Sequence, residues 1–439
     1  MNFLLMHPAA DQASRPAARQ IQGNEKNQCH AFGIAAAVLA LTLSASGLRA
    51  QVWTELAPSG GPPAARANFG TAQFDPTSGA MIIFAGQNSG GNLNDVWVLV
   101  NPDGLAAPQW VNLTPTPDPV NGSPAPRNAA SVVYDPTGNR LIIFDGCLGN
   151  CTPIANDLWV LTNANGLGGT PAWIKLSPSG PVPQPRENMA SVYDPASNKM
   201  IVFGGQNGCC GNQQTYSDVW VLNNANGLGG TQTWSQLSPS GGPPAGQTAL
   251  SAVYDSINNR MTVFGGLPNI LQTATNAVWV LSNANGQGGS PVWTNLVAEG
   301  AAGSPPARFG HTAVYDSASN SMTIFGGEGA SLFNDTWVLT NANGFGGTSV
   351  WTQLAPSGGP PAARVLFGAV WTPISKRMTI FAGGSATGSL NDVWVLATGL
   401  PVPTDKDACK NGGWQNLGRA DGSPFKNQGD CIQYVNTGK

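Results

Sequence analysis

Histidine, charge and long apolar runs are all scarce in this chain. Of 439 residues only three are histidine, and charged residues make up 10% of the total. With 20 basic and 23 acidic residues the net charge is −3, too weak a field to hold a nucleic acid or an anionic membrane surface. The apolar run from residue 31 to 43 is shorter than the roughly 20 residues that a membrane span needs, and no other stretch approaches it. His7 and His30 lie near the N-terminus, which leaves His311 alone beyond residue 50. Metal chemistry and a Ser-His-Asp arrangement would both have to use that one imidazole, and the cysteine spacings match no zinc ribbon. No metal and no cofactor is therefore expected.

The N-terminus reads as a targeting segment. Arg15, Arg19 and Lys26 precede the apolar run, and small residues lead up to Ala50. That is the pattern of a secretory signal peptide over residues 1–50, cut after Ala50, with Met6 a candidate start. The expected location is outside the cytoplasm, secreted or in a cell envelope. Six cysteines follow: Cys147, Cys151, Cys209, Cys210, Cys409 and Cys431. An even number in an exported chain favours disulfides.

Gly (56) and Pro (35) are abundant, but they fall at fixed intervals between short apolar runs, so they mark turns. The clearest unit is 305–354. Four runs of β-branched and aromatic residues, ending in Tyr315-Asp316, Phe325-Gly-Gly327, Trp337-Val-Leu339 and Trp351-Thr-Gln-Leu354, predict four strands. Such a unit is apolar on both faces and must stack against copies of itself. The copies are present. The second-strand Phe recurs at Phe84, Phe144, Phe203, Phe264, Phe325 and Phe381. The third-strand Trp recurs at Trp97, Trp159, Trp220, Trp279, Trp337 and Trp394. Trp-x-x-Leu, the fourth strand, also occurs six times within residues 51–399, beginning with Trp53.

The phase of the count matters more than the count. The repeats open on a fourth strand, 53–56, with no first three, and close on strands one to three with no fourth. The expected fold is all-β: a six-bladed propeller of four-stranded blades in which 53–56 completes blade six and protects the sheet edges.

Arg-Phe-Gly-His311, Phe-Gly-Gly327 and the paired tryptophans resemble Kelch repeats, of the galactose oxidase-type propeller superfamily. The resemblance covers residues 51–399 and implies a closed propeller. The copper-radical oxidases of that fold need two histidine ligands, and the chain beyond residue 50 offers only His311, at the repeat's own structural histidine. Its repeats exceed the usual ~50 residues through inserts such as Asn163-Ala-Asn-Gly166, which read as turns because they lack the carboxylates of a calcium loop. After a linker, 400–408, residues 409–439 resemble a short Cys-pair module found on secreted bacterial proteins. A Cys409–Cys431 bridge is expected there, and the module's role is left between envelope binding and a compact tail.

Five first strands begin with Arg (Arg66, Arg127, Arg186, Arg308, Arg364), and five third strands begin with Asp (Asp95, Asp157, Asp218, Asp335, Asp392). Blade four lacks both, having Gln247 and Ala277. Joint loss points to pairing within a blade. The competing reading is a cationic ring that binds an acidic glycan or a carboxylate. Departures from the template concentrate in blades two and three: Asp145 in place of Gly, Glu187 after Arg186, and the cysteines. With Arg127, Arg186, Arg308 and Glu328, these form the candidate ligand rim at the channel mouth; the plainer alternative is loop stapling. Cys147–Cys151 with Cys209–Cys210, or bridges across blades, both remain open. The expected activity is non-catalytic recognition of a protein or polysaccharide by a monomer. The alternative is a carbohydrate-active enzyme, of lyase or sugar-acid type, using Asp145, Glu187 or Glu328.

Overall fold

A computed structural model describes residues 51–438 except 69–71, 150–152, 209–212, 243, 269–272, 399–402, 404 and 420–424. Residues 1–50, expected to be a targeting segment, and Cys151, Cys209 and Cys210 lie outside the described residues. Among the described residues no helix is long and apolar enough to cross a membrane.

Six four-stranded antiparallel sheets are arranged in a ring. Five are continuous in sequence. The sixth joins Gly368–Thr372, Arg377–Ser385 and Gly388–Ala397 to the strand Val52–Leu56, in register from Val52 opposite Ala397 to Leu56 opposite Val393. The splice expected from the phase of the repeats is therefore the closure observed. Strand edges that would otherwise invite pairing are consumed by it.

The two residue types that mark the repeat meet each other across blades. Each fourth-strand Trp packs on the second-strand Phe of the preceding blade: Trp173 on Phe84 at 5.5 Å, Trp234 on Phe144 at 4.7 Å, Trp293 on Phe203 at 5.0 Å. Trp351 on Phe264 (4.9 Å), Trp53 on Phe325 (4.9 Å) and Trp110 on Phe381 (4.8 Å) complete the circuit. Tilted aromatic pairs at this separation add stabilisation beyond the area they bury. The core is a set of such interblade layers, not one central mass.

Two polar circuits reinforce the ring. On the face where first strands start, six residues pass backbone hydrogen bonds in a closed cycle: Ala129 to Asn68, Asn188 to Ala129, Ala249 to Asn188, Gly310 to Ala249, Leu366 to Gly310 and Asn68 to Leu366, each N–H to the next carbonyl at 2.7–3.0 Å. All six have positive φ, between 53° and 60°, which turns each amide toward its neighbour. On the opposite face the long inserts act as clamps. Asn165 donates to Asp75 of the preceding blade, Asn226 to Asp135, Asn285 to Asp194 and Asn343 to Asp255, at 2.6–2.7 Å. Blade six has no such insert, and Lys376 makes the bond instead, 3.0 Å from Asp316. These Asp side chains accept from amides two residues on, forming the turn after the first strand, and each also latches two blades together.

The C-terminal segment carries a turn of 3-10 helix, Gly413–Asn416, and an α-helix, Gln428–Thr437, capped by the Asn427 side chain on the Asp430 amide. Cys409 and Cys431 are disulfide-bonded and fully buried with Phe425.

Candidate functional site

Antiparallel strands place the loops joining strand two to three, and those joining one blade to the next, on one face. Short β-bridges tie them together there: Ala67 to Gln87, Asn128 to Cys147, Glu187 to Gln206, Thr248 to Leu267, Phe309 to Glu328 and Val365 to Gly384. These twelve positions surround the mouth of the central channel. The channel itself encloses about 450 Å³ and is bordered by the first strands of the six blades.

The five repeat arginines, three of them candidates for this rim, do not face it. Arg66, Arg127, Arg186, Arg308 and Arg364 are 0% exposed. Each forms a bidentate pair with the Asp that starts the third strand; Arg308, for example, lies 2.6 and 2.9 Å from the two Asp335 oxygens. Their remaining donors go to backbone carbonyls two residues earlier and at the end of strand two. A guanidinium with four of its five donors engaged and no accessible surface cannot reach a ligand. Pairing within the blade is what the structure shows. The cationic-ring reading of Arg127, Arg186 and Arg308 is corrected accordingly.

Asp145 and Glu187 are brought to the junction of blades two and three, but both are buried, at 0% and 2% exposure. One Asp145 oxygen accepts from the Arg186 amide at 3.0 Å, and the other is buried without a partner. Burial pushes this carboxyl well above the usual range, against the opposing pull of the Arg186 amide and the Arg186 charge. Glu187 accepts from Gln206 Nε2 at 3.0 Å and from the Cys147 thiol, and burial raises its pKa as well. Glu328 lies in blade five, far around the ring; half-buried, its carboxyl too is raised by desolvation. The three acids therefore do not form one constellation. Beside the first two, Asn68, Asn128 and Asn92 link side chain to side chain at 2.9 and 2.8 Å, and Asn92 reaches the Cys147 carbonyl at 3.0 Å.

The mouth is accordingly two-sided. Blades one to three contribute partly exposed Asn68, Asn92 and Asn188, with Asn128, Glu187 and Gln206 buried beneath them. Blades four to six contribute Leu267, Phe309, Val365 and Leu366 and the single carboxylate of Glu328, all partly exposed. The Asn chain was missed in the sequence because Asn68 and Asn92 of blade one meet Asn128 of blade two, and Gln206 because nothing in the repeat marked it as the partner of Glu187 within blade three.

His311 also gains an unforeseen partner: its Nε2 lies 2.7 Å from Ser251 Oγ, with both residues buried beside the channel. Its Nδ1 has no partner. Burial, with the Arg308 charge adding to it, lowers its pKa to about 3. A base that is neutral at every physiological pH and lacks an orienting acid does not make a nucleophile of Ser251. Among the described residues no group of His, Cys, Asp and Glu is disposed to hold a metal ion.

The family model described as the KLHDC2/KLHL20/DRC7 Kelch-repeats domain matches residues 128–301 and 289–408. Among characterised proteins, the leucine-zipper-like transcriptional regulator 1 homolog of Drosophila melanogaster is 27% identical over 316 residues, 69% of this chain and 28% of its own length. Putative adagio-like protein 2 of Oryza sativa subsp. japonica is 25% identical over 377 residues, 82% of this chain and 53% of its own. Adagio-like protein 3 of the same plant is 28% identical over 278 residues, 61% and 40% respectively. The chain thus spans between about a quarter and about half of the length of these relatives. All three are eukaryotic, so they lend nothing to a bacterial origin.

Proposed function

The chain belongs to the Kelch-repeat family of β-propellers, whose members generally bind proteins, and from that premise we propose that it is an exported, non-catalytic recognition domain. It holds a protein partner across the channel mouth. The observation that carries this reading is the two-sided rim: partly exposed Phe309, Val365 and Leu366 face a sector of amide side chains across the same opening. An apolar anchor beside satisfiable polar groups is the composition of a protein-binding surface. A polysaccharide ligand would draw on the amide sector alone. The enzyme reading is disfavoured by the carboxyls themselves. Asp145 and Glu187 are shielded from solvent, and Glu328 stands three blades from Asp145, so no pair flanks a common bond.

The test is affinity capture on residues 51–439, with Phe309→Asp/Leu366→Asp as control, followed by identification of the partner and a reciprocal binding measurement. Saturable binding of one protein, lost in the control while its circular dichroism is unchanged, supports the reading. Retention of the partner by the control removes the mouth from it. Glycan-array binding in its place would transfer the role to a polysaccharide. Export is tested separately, by N-terminal sequencing of the protein from culture medium, which should begin at Gln51.

A further inference from the structure

The fourth blade has lost the ion pair that the other five carry, and none of the described residues refills the space. In those five blades the guanidinium donates Nε to a carbonyl two residues back at 3.0 Å and Nη1 to the carbonyl ending strand two at 2.9–3.0 Å. The Asp oxygens accept from Nη1 and Nη2, and the third-strand Trp indole donates to the same Asp. In blades three and five an aromatic ring also lies 4.3 Å from the guanidinium: Tyr216 under Arg186 and Phe333 under Arg308.

Blade four has Gln247, Ala277 and Thr275 at the positions of the Arg, the Asp and that aromatic residue. A cavity of about 540 Å³ opens there, bordered by these three together with Ala245, Trp279 and Glu299. The carboxylate is a replacement from elsewhere. The outer strand of this blade, Val292–Val297, is at six residues the longest of the six outer strands and bulges opposite Val278 and Trp279. The chain beyond it brings Glu299 back over the socket, where its Oε2 accepts from the Thr275 hydroxyl and from the Asn276 amide at 3.0 Å. The socket thus keeps a carboxylate and an indole but, among the described residues, no cation.

We propose that this vacated socket binds a guanidinium presented from outside, the ligand class being an arginine side chain of a protein partner. Arginine fits for the reason that the other five blades use it: a planar fork of donors satisfies carbonyls and a carboxylate at once, and its face stacks on an aromatic ring. An ammonium could meet the charge but not the fork, and a neutral urea-type group could meet the shape but not the charge. The socket opens on the mouth face, so the partner's identity rests on the recognition role proposed above. The socket's chemistry does not, and it can be read with a small probe alone.

The experiment is titration of ¹⁵N-labelled protein (residues 51–439) with N-acetyl-arginine methylamide, following the Trp279 indole N–H, assigned by Trp279→Phe. The lysine and citrulline analogues are run beside it. A saturable shift with the arginine probe, with each analogue roughly fivefold weaker or worse, is expected. Glu299→Gln should weaken the arginine probe by a similar factor. Gln247→Arg/Ala277→Asp rebuilds the native pair, fills the socket and should abolish binding. Equal response to all three probes, or a response that persists in the filled variant, overturns the proposal. If the filled variant does not fold, Glu299→Gln decides alone: undiminished binding overturns the proposal. Loss of whole-partner capture with probe binding intact would count against the mouth reading and not against the socket.

Discussion

The Trp53 indole lies 4.9 Å from the Phe325 ring, although 272 residues separate them in sequence. Trp53 belongs to the outer strand of blade six, and Phe325 to the second strand of blade five. This contact and the pairing of Val52–Leu56 with Gly388–Ala397 are how the first described residues close the ring. Trp53 is 2% exposed. Truncation to Ala removes a buried indole from a packed interblade layer and is expected to cost about 3–5 kcal/mol. Urea denaturation should show the loss, and hydrogen exchange should rise first in blade six, at the amides of Gly388–Ala397. Protection that stays uniform around the ring would show that closure is held elsewhere.

The Asn–Asp latches should behave as structural, pH-dependent contacts. Asn343 is 4% exposed and donates to Asp255 of the preceding blade at 2.6 Å. Burial pushes the Asp255 carboxyl up, but bonds from Asn258, Asn343 and nearby amides outweigh it, and the net shift is downward. A carboxyl with a depressed folded pKa contributes stability that is present above the unfolded pKa of about 4 and fades as pH falls through the folded value. Asn343→Ala should therefore cost about 1–3 kcal/mol at neutral pH. The difference from the parent should shrink in acid. Equilibrium unfolding at pH 7 and pH 3 checks both statements.

Much of this architecture was legible because repetition supplies its own alignment. Six copies of Phe and Trp fixed the blade count, and the unmatched strand at 53–56 fixed the closure. Blade four did the same for the ion pair, since Gln247 and Ala277 depart together. What could not be read were contacts between blades. The Asn165–Asp75 bond spans 90 residues, and blades two to five all set the Asn against an Asp of the preceding blade, so no departure among them singled out the pair. Ser251 and His311 likewise belong to different repeats. The rim failed for a further reason: a departure from the template marks a residue as unusual but does not say whether it faces solvent, and Asp145 and Glu187 face inward.

The C-terminal segment should unfold separately from the ring. Cys409 and Cys431 are separated by 22 residues and are, with Phe425, the fully enclosed part of that small core. On the chain-entropy model the bridge stabilises it by roughly 3 kcal/mol, a large fraction of what so small a unit can have. Cys431→Ser should make Arg419 and Lys426 readily cleaved by trypsin and should abolish the helix Gln428–Thr437, while the melting transition of the propeller stays put. A coupled fall in that transition would mean that the segment supports the ring.

Asp145 carries a prediction of the opposite sign. Its backbone has φ 56° and its side chain occupies a site where three other copies carry Gly. Burial raises its folded pKa. Between the unfolded value, about 3.9, and that higher value, the folded state keeps a proton that the unfolded state gives up. Stability therefore falls as pH climbs through this window and stays reduced above it. Asn does not titrate, tolerates a positive φ, and preserves an oxygen for the Arg186 amide. Asp145→Asn should leave stability unchanged near pH 3 and raise it at pH 7, read as a urea midpoint that separates from the parent only as pH increases. Equal midpoints at pH 7 would mean that the carboxylate finds, in solution, a partner for its second oxygen.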